Sequence, residues 1–183
     1  MLSTKDIVLS ALFAAIVAAL GLLPPIPLGF LPVPITAQTL GVMLAGALLG
    51  PKRAAVALGV FVLLVAAGLP LLAGGRGGIG VFLGPTGGFV LAFPLAAAAV
   101  GFLTERFDGA GRPLVLFAAC VLGGIGVVYA IGIPWLALVG GVDPMKAATG
   151  SMAFVPGDVI KAGVAAFVAA GVRRAHPTLL ARG

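Results

Sequence analysis

Two ionisable residues stand inside apolar sequence in the segment FVPGDVIKA, where Asp158 and Lys161 open the last apolar run. Three positions apart, they share one face of a helix. Two arrangements account for them. In the structural one, Asp158 caps the helix N-terminus and Lys161 snorkels back to the surface along its stem. In the functional one, they form a polar clamp at the floor of an outward-facing pocket, because an ionised group at membrane depth ordinarily faces a cavity or a partner. Such a clamp suits a neutral urea-like or amide edge, whose N–H groups need acceptors and whose C=O needs a donor. A buried site with matched partners rejects any ligand that leaves one of its groups unpaired.

Few other side chains offer chemistry. Thr36 and Gln38, in PITAQTL, place polar groups at the outer end of the second apolar run, where they either serve a ligand or satisfy the helix terminus. Tyr129 and Trp135 lie near the outer end of the fifth run, as interfacial belt residues or as rings on which an apolar ligand stacks. The stretch from Ala73 to Gly88, AGGRGGIGVFLGPTGG, holds eight of the 29 glycines. It is too glycine-rich for a membrane helix, and its apolar Ile79, Val81, Phe82 and Leu83 favour a structured cap over a flexible linker. Within it Thr86 precedes a helix start and Arg76 adds a positive charge, together a seat for a carboxylate or a simple N-cap beside a solvated cation.

Enzyme chemistry has little to work with. No phosphate loop of the G-x-x-x-x-G-K-[ST] type occurs, so ATP-driven work needs a partner. The single histidine, His176, lies in a basic tail, and the serines are Ser3, Ser10 and Ser151, so neither a serine-protease pair nor a metal cluster can be assembled. No catalytic residue, metal or cofactor is expected. Cys120 sits in an apolar run as a small core residue.

The elements that must position these residues are membrane helices. With 61% hydrophobic and 9% charged residues, the chain has the composition of an integral membrane protein. Apolar runs extend over Ile7–Leu23, about Ile35–Leu49, Ala54–Leu72, Gly88–Leu103, Leu114–Ile133 and Val159–Val172. The expected fold is all-α, six transmembrane helices in one domain spanning residues 1–183, with the second helix starting early and distorted by Pro32 and Pro34. Lys5, Lys52, Arg53, Arg106, Arg112, Arg173, Arg174 and Arg182 fall on one side, against Arg76 and Lys146 on the other. The positive-inside rule then puts both termini in the cytoplasm and the glycine-rich loop outside, with the connections Pro24–Pro34 and Pro134–Gly157. The first span carries Ala11, Ala15 and Ala19 at intervals of four, a small-residue strip that lets another helix approach.

Several segments, in order and spacing, resemble a known family: PITAQTLGVMLAGALLGPKRA, the AGGRGG loop followed by GPTGG, the stretch from Tyr129 to Trp135, and FVPGDVIKA. They are similar to the BioY family, the biotin-specific substrate-capture (S) components of energy-coupling-factor (ECF) transporters. The resemblance implies a six-helix protein of the cell membrane that binds biotin from outside and associates with a transmembrane coupling (T) subunit and two ATP-binding-cassette ATPases. It also implies a loop after helix three that closes over the ligand. Gln38, Gly74, Gly75, Asp158 and Lys161 would be pocket residues, and Ala11 and Ala15 would dock on the coupling subunit. Where relatives often have Tyr after GPTGG, this chain has Phe89 and lacks that hydroxyl. The ureido edge, apolar fused ring and carboxylate tail of biotin match the clamp, the apolar lining and the loop. Rival readings are capture of another vitamin and a small channel with a re-entrant glycine-rich segment.

Overall fold

The computed structural model describes residues 3–107 and 112–175, so His176 and Arg182 lie outside the described residues. Helix α1 (Thr4–Leu20) begins at Ser3, whose hydroxyl accepts from the Asp6 N–H while the Asp6 carboxylate accepts from the Ser3 N–H. This reciprocal box satisfies two donors that a helix start leaves free. Next come strands β1 (Ile26–Leu28) and β2 (Leu31–Ile35), then α2 (Gln38–Ala66), α3 (Gly87–Leu91) and α4 (Phe93–Phe107). After the undescribed residues follow α5 (Pro113–Ala119), α6 (Val127–Leu138), α7 (Pro144–Ser151) and α8 (Val155–Ala175).

The chain is mostly helical, and the all-α expectation needs one correction. Pro32 and Pro34 do not distort the start of a helix; they lie in β2, paired antiparallel with β1 in the register Ile26 to Ile35 and Leu28 to Leu31. Alternate prolines block helix growth and fit an extended edge, where the missing N–H groups can point away from the partner strand. The alternation also turns Leu31 and Val33 inward, both buried.

Helix α2 is two helical arms joined at a kink. A straight helix of 29 residues would be about 43 Å long. Yet Gln38 at its first position bonds the carbonyl of Leu71, which is only five residues, roughly 17 Å of extended chain, beyond Ala66. The helix therefore doubles back, and it does so at Gly50, at φ 75° and ψ 176°, followed by Pro51. A side chain there would be strained by the positive φ and would run into the Glu105 carboxylate. The two arms lie along α4: Gly46 approaches Ala97 and Val100, Gly50 and Pro51 meet Gly101, and Phe61 stacks on Phe93 at 6.4 Å between ring centroids. The second and third apolar runs of the sequence are these arms. At the turn, Arg53 pairs with Asp6 at 2.5 Å and its carbonyl accepts from Ser10, pinning the start of α1.

Helices α5 and α6 are joined without a break by a π-helical stretch, Cys120–Gly126. Gly123 there lets the backbone of α4 come close, and Gly124 receives the Met43 side chain. The helix runs on through Pro134 to Leu138, and α7 with a 3-10 turn, Met152–Phe154, fills most of the expected connection from 134 to 157. Helix α8 buries Ala162, Ala165, Ala166, Ala169 and Ala170, a face of small side chains that permits close packing. Among the described residues, three helical stretches have the length and apolarity to cross a membrane: Gln38–Ala66, Pro113–Leu138 and Pro144–Ala175.

Candidate functional site

A cavity opens at the end of the bundle where α2 and α8 begin. It contains about 580 Å³ of space, its open mouth included. Strand β2 contributes Val33 to Thr36, the first turn of α2 gives Gln38 and Thr39, and the glycine-rich loop gives Arg76 and Thr86. Phe89 and Phe93 enter from α3 and α4, Val128 and Tyr129 from α6, Phe154 from the 3-10 turn, and Asp158 and Lys161 from α8.

Its polar floor is a closed network. Asp158 Oδ1 accepts from Lys161 Nζ at 2.7 Å and from the Thr39 hydroxyl at 3.1 Å. Asp158 Oδ2 accepts from the Tyr129 hydroxyl at 2.7 Å, and Lys161 also donates to Thr39 Oγ1 at 3.1 Å. Helix α8 starts at Val155, three residues before Asp158, so the carboxylate faces α2 and α6 and is not the helix cap. The ion pair is largely withdrawn from solvent, with side-chain exposures of 16% for Lys161 and 7% for Asp158. Each charge in such a place needs both its counter-ion and further hydrogen bonds, which Thr39 and Tyr129 supply. Tyr129 is therefore turned inward and is not a belt residue.

The network leaves a defined set of free valences. Lys161 has three N–H groups and uses two. Tyr129 spends its proton on Asp158 and keeps oxygen lone pairs, and Asp158 Oδ2 has acceptor capacity beyond Tyr129. One donor beside two acceptors is the complement of a C=O flanked by N–H groups. Above this floor the walls are aromatic: Phe154 meets Phe89 edge-on at 6.3 Å and Tyr129 at 6.4 Å. Edge-to-face rings of this kind make a shaped apolar slot.

The glycine-rich loop supplies the remaining charge. Leu72 and Arg76 pair across a tight turn whose inner residues, Gly74 and Gly75, have φ of 79° and 69°. Two successive positive φ values are what glycine permits cheaply. Both are exposed, so they shape the turn and do not line the cavity. Arg76 Nε donates to the Ala73 carbonyl at 3.2 Å, and another guanidinium nitrogen donates to the Thr86 hydroxyl at 3.5 Å. Burial lowers the Arg76 guanidinium from its ordinary value, but an arginine remains cationic. Thr86 caps nothing with its side chain, and α3 behind it is only five residues long. Arg76 is thus the group in the loop able to hold an anion.

Other predicted residues fall elsewhere. Gln38 touches the cavity, but its amide is spent on the backbone of α1 and of the loop. Trp135 lies outside the lining: its indole N–H donates to the Gly84 carbonyl at 3.0 Å and its side chain packs on Gly88, fastening the end of the loop. Ala11, Ala15 and Ala19 are exposed along α1, on the side away from buried Phe13, Ala14 and Val17. Sequence reasoning missed Thr39 and Phe154. Thr39 carried a faint signal, since Thr36 and Thr39 are three apart at the same helix start as Gln38.

A mostly helical, membrane-apolar bundle with an apolar-walled cavity, floored by an ion pair and roofed by a structured loop, defines a membrane-embedded protein that binds a small molecule. The chain belongs to the BioY family, whose model matches residues 1–178. It is 54% identical, over 99% of its length and all of the relative's, to the biotin transporter BioY of Rhizobium etli. Identity is 47% to the biotin transporter BioY of Rhodobacter capsulatus, covering 98% of this chain and 99% of that one. With the probable biotin transporter BioY of Bacillus subtilis it is 49%, covering 96% and 94%. The fold is similar to a crystal structure of the S-component for biotin from an ECF-type ABC transporter, with a TM-score of 0.89, 33% identity and 95% of each chain covered.

Proposed function

We propose that this chain is the membrane component that captures biotin for uptake, with Asp158, Lys161, Thr39 and Tyr129 reading the ureido edge. The observation that carries the reading is the floor of the cavity, where one spare donor and two spare acceptors face an otherwise apolar slot. The Lys161 N–H meets the ureido carbonyl, and Asp158 and Tyr129 accept from the ureido N–H groups. The fused ring lies among Phe89, Phe154 and the neighbouring aliphatic side chains, and the carboxylate reaches Arg76 and Thr86. Gln38, Gly74, Gly75 and Trp135 serve the site by holding the loop in place. No covalent chemistry is involved.

In this reading one domain crosses the cell's plasma membrane six times, both ends cytoplasmic, and the cavity opens outward. The six crossings are α1, the two arms of α2, α3 with α4, α5 through α6, and α8. The distribution of basic residues supports that orientation. Transport then depends on a transmembrane coupling subunit and two ABC ATPases, and the exposed strip Ala11, Ala15 and Ala19 is the docking face for the coupling subunit. Isothermal titration of the purified chain with biotin and a panel of other vitamins tests the function. Saturable stoichiometric binding of biotin alone is expected; binding of another vitamin in preference to biotin refutes the ligand assignment.

A further inference from the structure

We propose that Gln38 is a positioning residue: its buried amide joins the glycine-rich loop to the end of α1, so that the loop over the cavity and the exposed alanine strip are set as one unit. The mechanical link stands on the geometry of the junction; its role in transport rests on the reading of the chain as a biotin-capture component.

Gln38 is 2% exposed, and its amide makes three bonds, all to backbone. Nε2 donates to the Val17 carbonyl in α1 at 3.1 Å and to the Leu71 carbonyl at the start of the loop at 3.0 Å. Oε1 accepts from the Ala73 N–H at 3.1 Å. Two carbonyl partners and one N–H partner fix which end of the amide is nitrogen. Both amide hydrogens are consumed, so the side chain has no donor left for a ligand although it borders the cavity. Its work is between elements.

Each bond meets a local need. The carbonyl of Val17 lies in the last turn of α1, where carbonyls lack a full set of partners, and it is shared by the Gly21 N–H at 3.2 Å. Leu71 and Ala73 flank Leu72, which closes the Leu72–Arg76 turn that presents Arg76. Displacing the turn therefore breaks bonds whose third member is α1. An unpaired buried amide is costly, so the three pieces separate together or not at all.

Gly21 gives an independent handle on the same junction. A methyl group there would collide with the Leu71 carbonyl oxygen and lie 3.0 Å from Gln38 Nε2. Its backbone, at φ −69°, accepts any residue, so Gly21→Ala acts at this junction, crowding the Leu71 carbonyl, the Gln38 amide and the Ala18 carbonyl of α1, and of the cavity-lining side chains it meets Gln38 alone.

Hydrogen exchange on the full-length protein in nanodiscs tests the link, comparing residues 72–76 and 18–21 with residues 96–104 of α4 as reference. Without ligand, Gln38→Met and Gly21→Ala should each speed exchange at least tenfold in both the loop turn and the last turn of α1, leaving the reference unchanged. If Gln38→Met also loosens the reference helix, Gly21→Ala decides by the same criterion. Acceleration confined to one of the two segments, or absent from both, overturns the proposal whatever the ligand proves to be. With biotin, the wild type should gain protection in both segments and Gln38→Met in the loop alone; α1 protection retained in that variant also overturns it. Biotin titration of the wild type judges the capture reading separately.

Discussion

Replacing Asp158 by Asn removes a charge and keeps the shape, so it separates recognition from packing. The amide nitrogen cannot face the Lys161 ammonium, which now sits 2.7 Å from Oδ1, so the remaining oxygen must stay there. The NH₂ then replaces Oδ2 against Tyr129, whose hydroxyl has to reverse and accept. Where the wild type offers an acceptor to a ureido N–H, the variant offers a donor. Losing one hydrogen bond to a charged group costs about 1.5 to 3 kcal/mol, or roughly tenfold to 150-fold in affinity. A second effect is on stability. Leaving a buried ion without its partner costs about 3 to 5 kcal/mol, an upper bound here since Lys161 retains 16% exposure beside the open cavity. Asp158→Asn should therefore melt lower in detergent yet elute as a folded species, and bind biotin at least tenfold more weakly by titration calorimetry. Adding Lys161→Met should recover thermal stability without recovering binding. A folded Asp158→Asn protein whose biotin affinity lies within twofold of wild type refutes the assignment of the ion pair to the ureido group.

Arg76→Met should weaken biotin about tenfold, the low end of a charged hydrogen bond, while leaving the affinity for biotin methyl ester unchanged; equal losses for both would remove Arg76 from the carboxylate. Ala15→Trp, on the exposed strip of α1, should leave equilibrium biotin binding intact and abolish uptake in cells carrying the coupling subunit and ATPases, and undiminished uptake would discard that docking face. For topology, cysteine belongs at exposed Gly80, where a side chain meets nothing within 4 Å, and not at Gly77, where it would strike the Leu69 carbonyl. With Cys120 buried and silent, Gly80→Cys should react with an impermeant maleimide in intact cells and Lys52→Cys only after permeabilisation; the opposite pattern reverses the orientation.

What the sequence determined by itself are the properties that depend on neighbours along the chain. Apolar runs must become helices in a membrane, since an unpaired backbone has no water to turn to, and most of the runs lie in helices of the observed bundle. The interval of three between Asp158 and Lys161 dictates a shared helix face, and the ion pair forms there. The density of glycine between Ala73 and Gly88 marks a turn-forming segment, and the positive φ values of Gly74, Gly75 and Gly78 follow. Other features depend on what the fold brings alongside, and local pattern carries no record of them. Asp158 finds Thr39 from 119 residues away and Tyr129 from 29. Belt residue or pocket residue was open for Tyr129 because both place a ring near the end of a helix; only the rotation of α6 against α8 chose between them. Gln38 reads as a ligand contact or a helix-end polar group until Val17, Leu71 and Ala73 converge on it. Prolines 32 and 34 signal a break but not a hairpin, because a strand exists only with the partner that pairs with it. Tertiary structure decided these points for one physical reason: hydrogen-bond partners in this chain are chosen by proximity in space, and helices doubled back at Gly50 set that proximity.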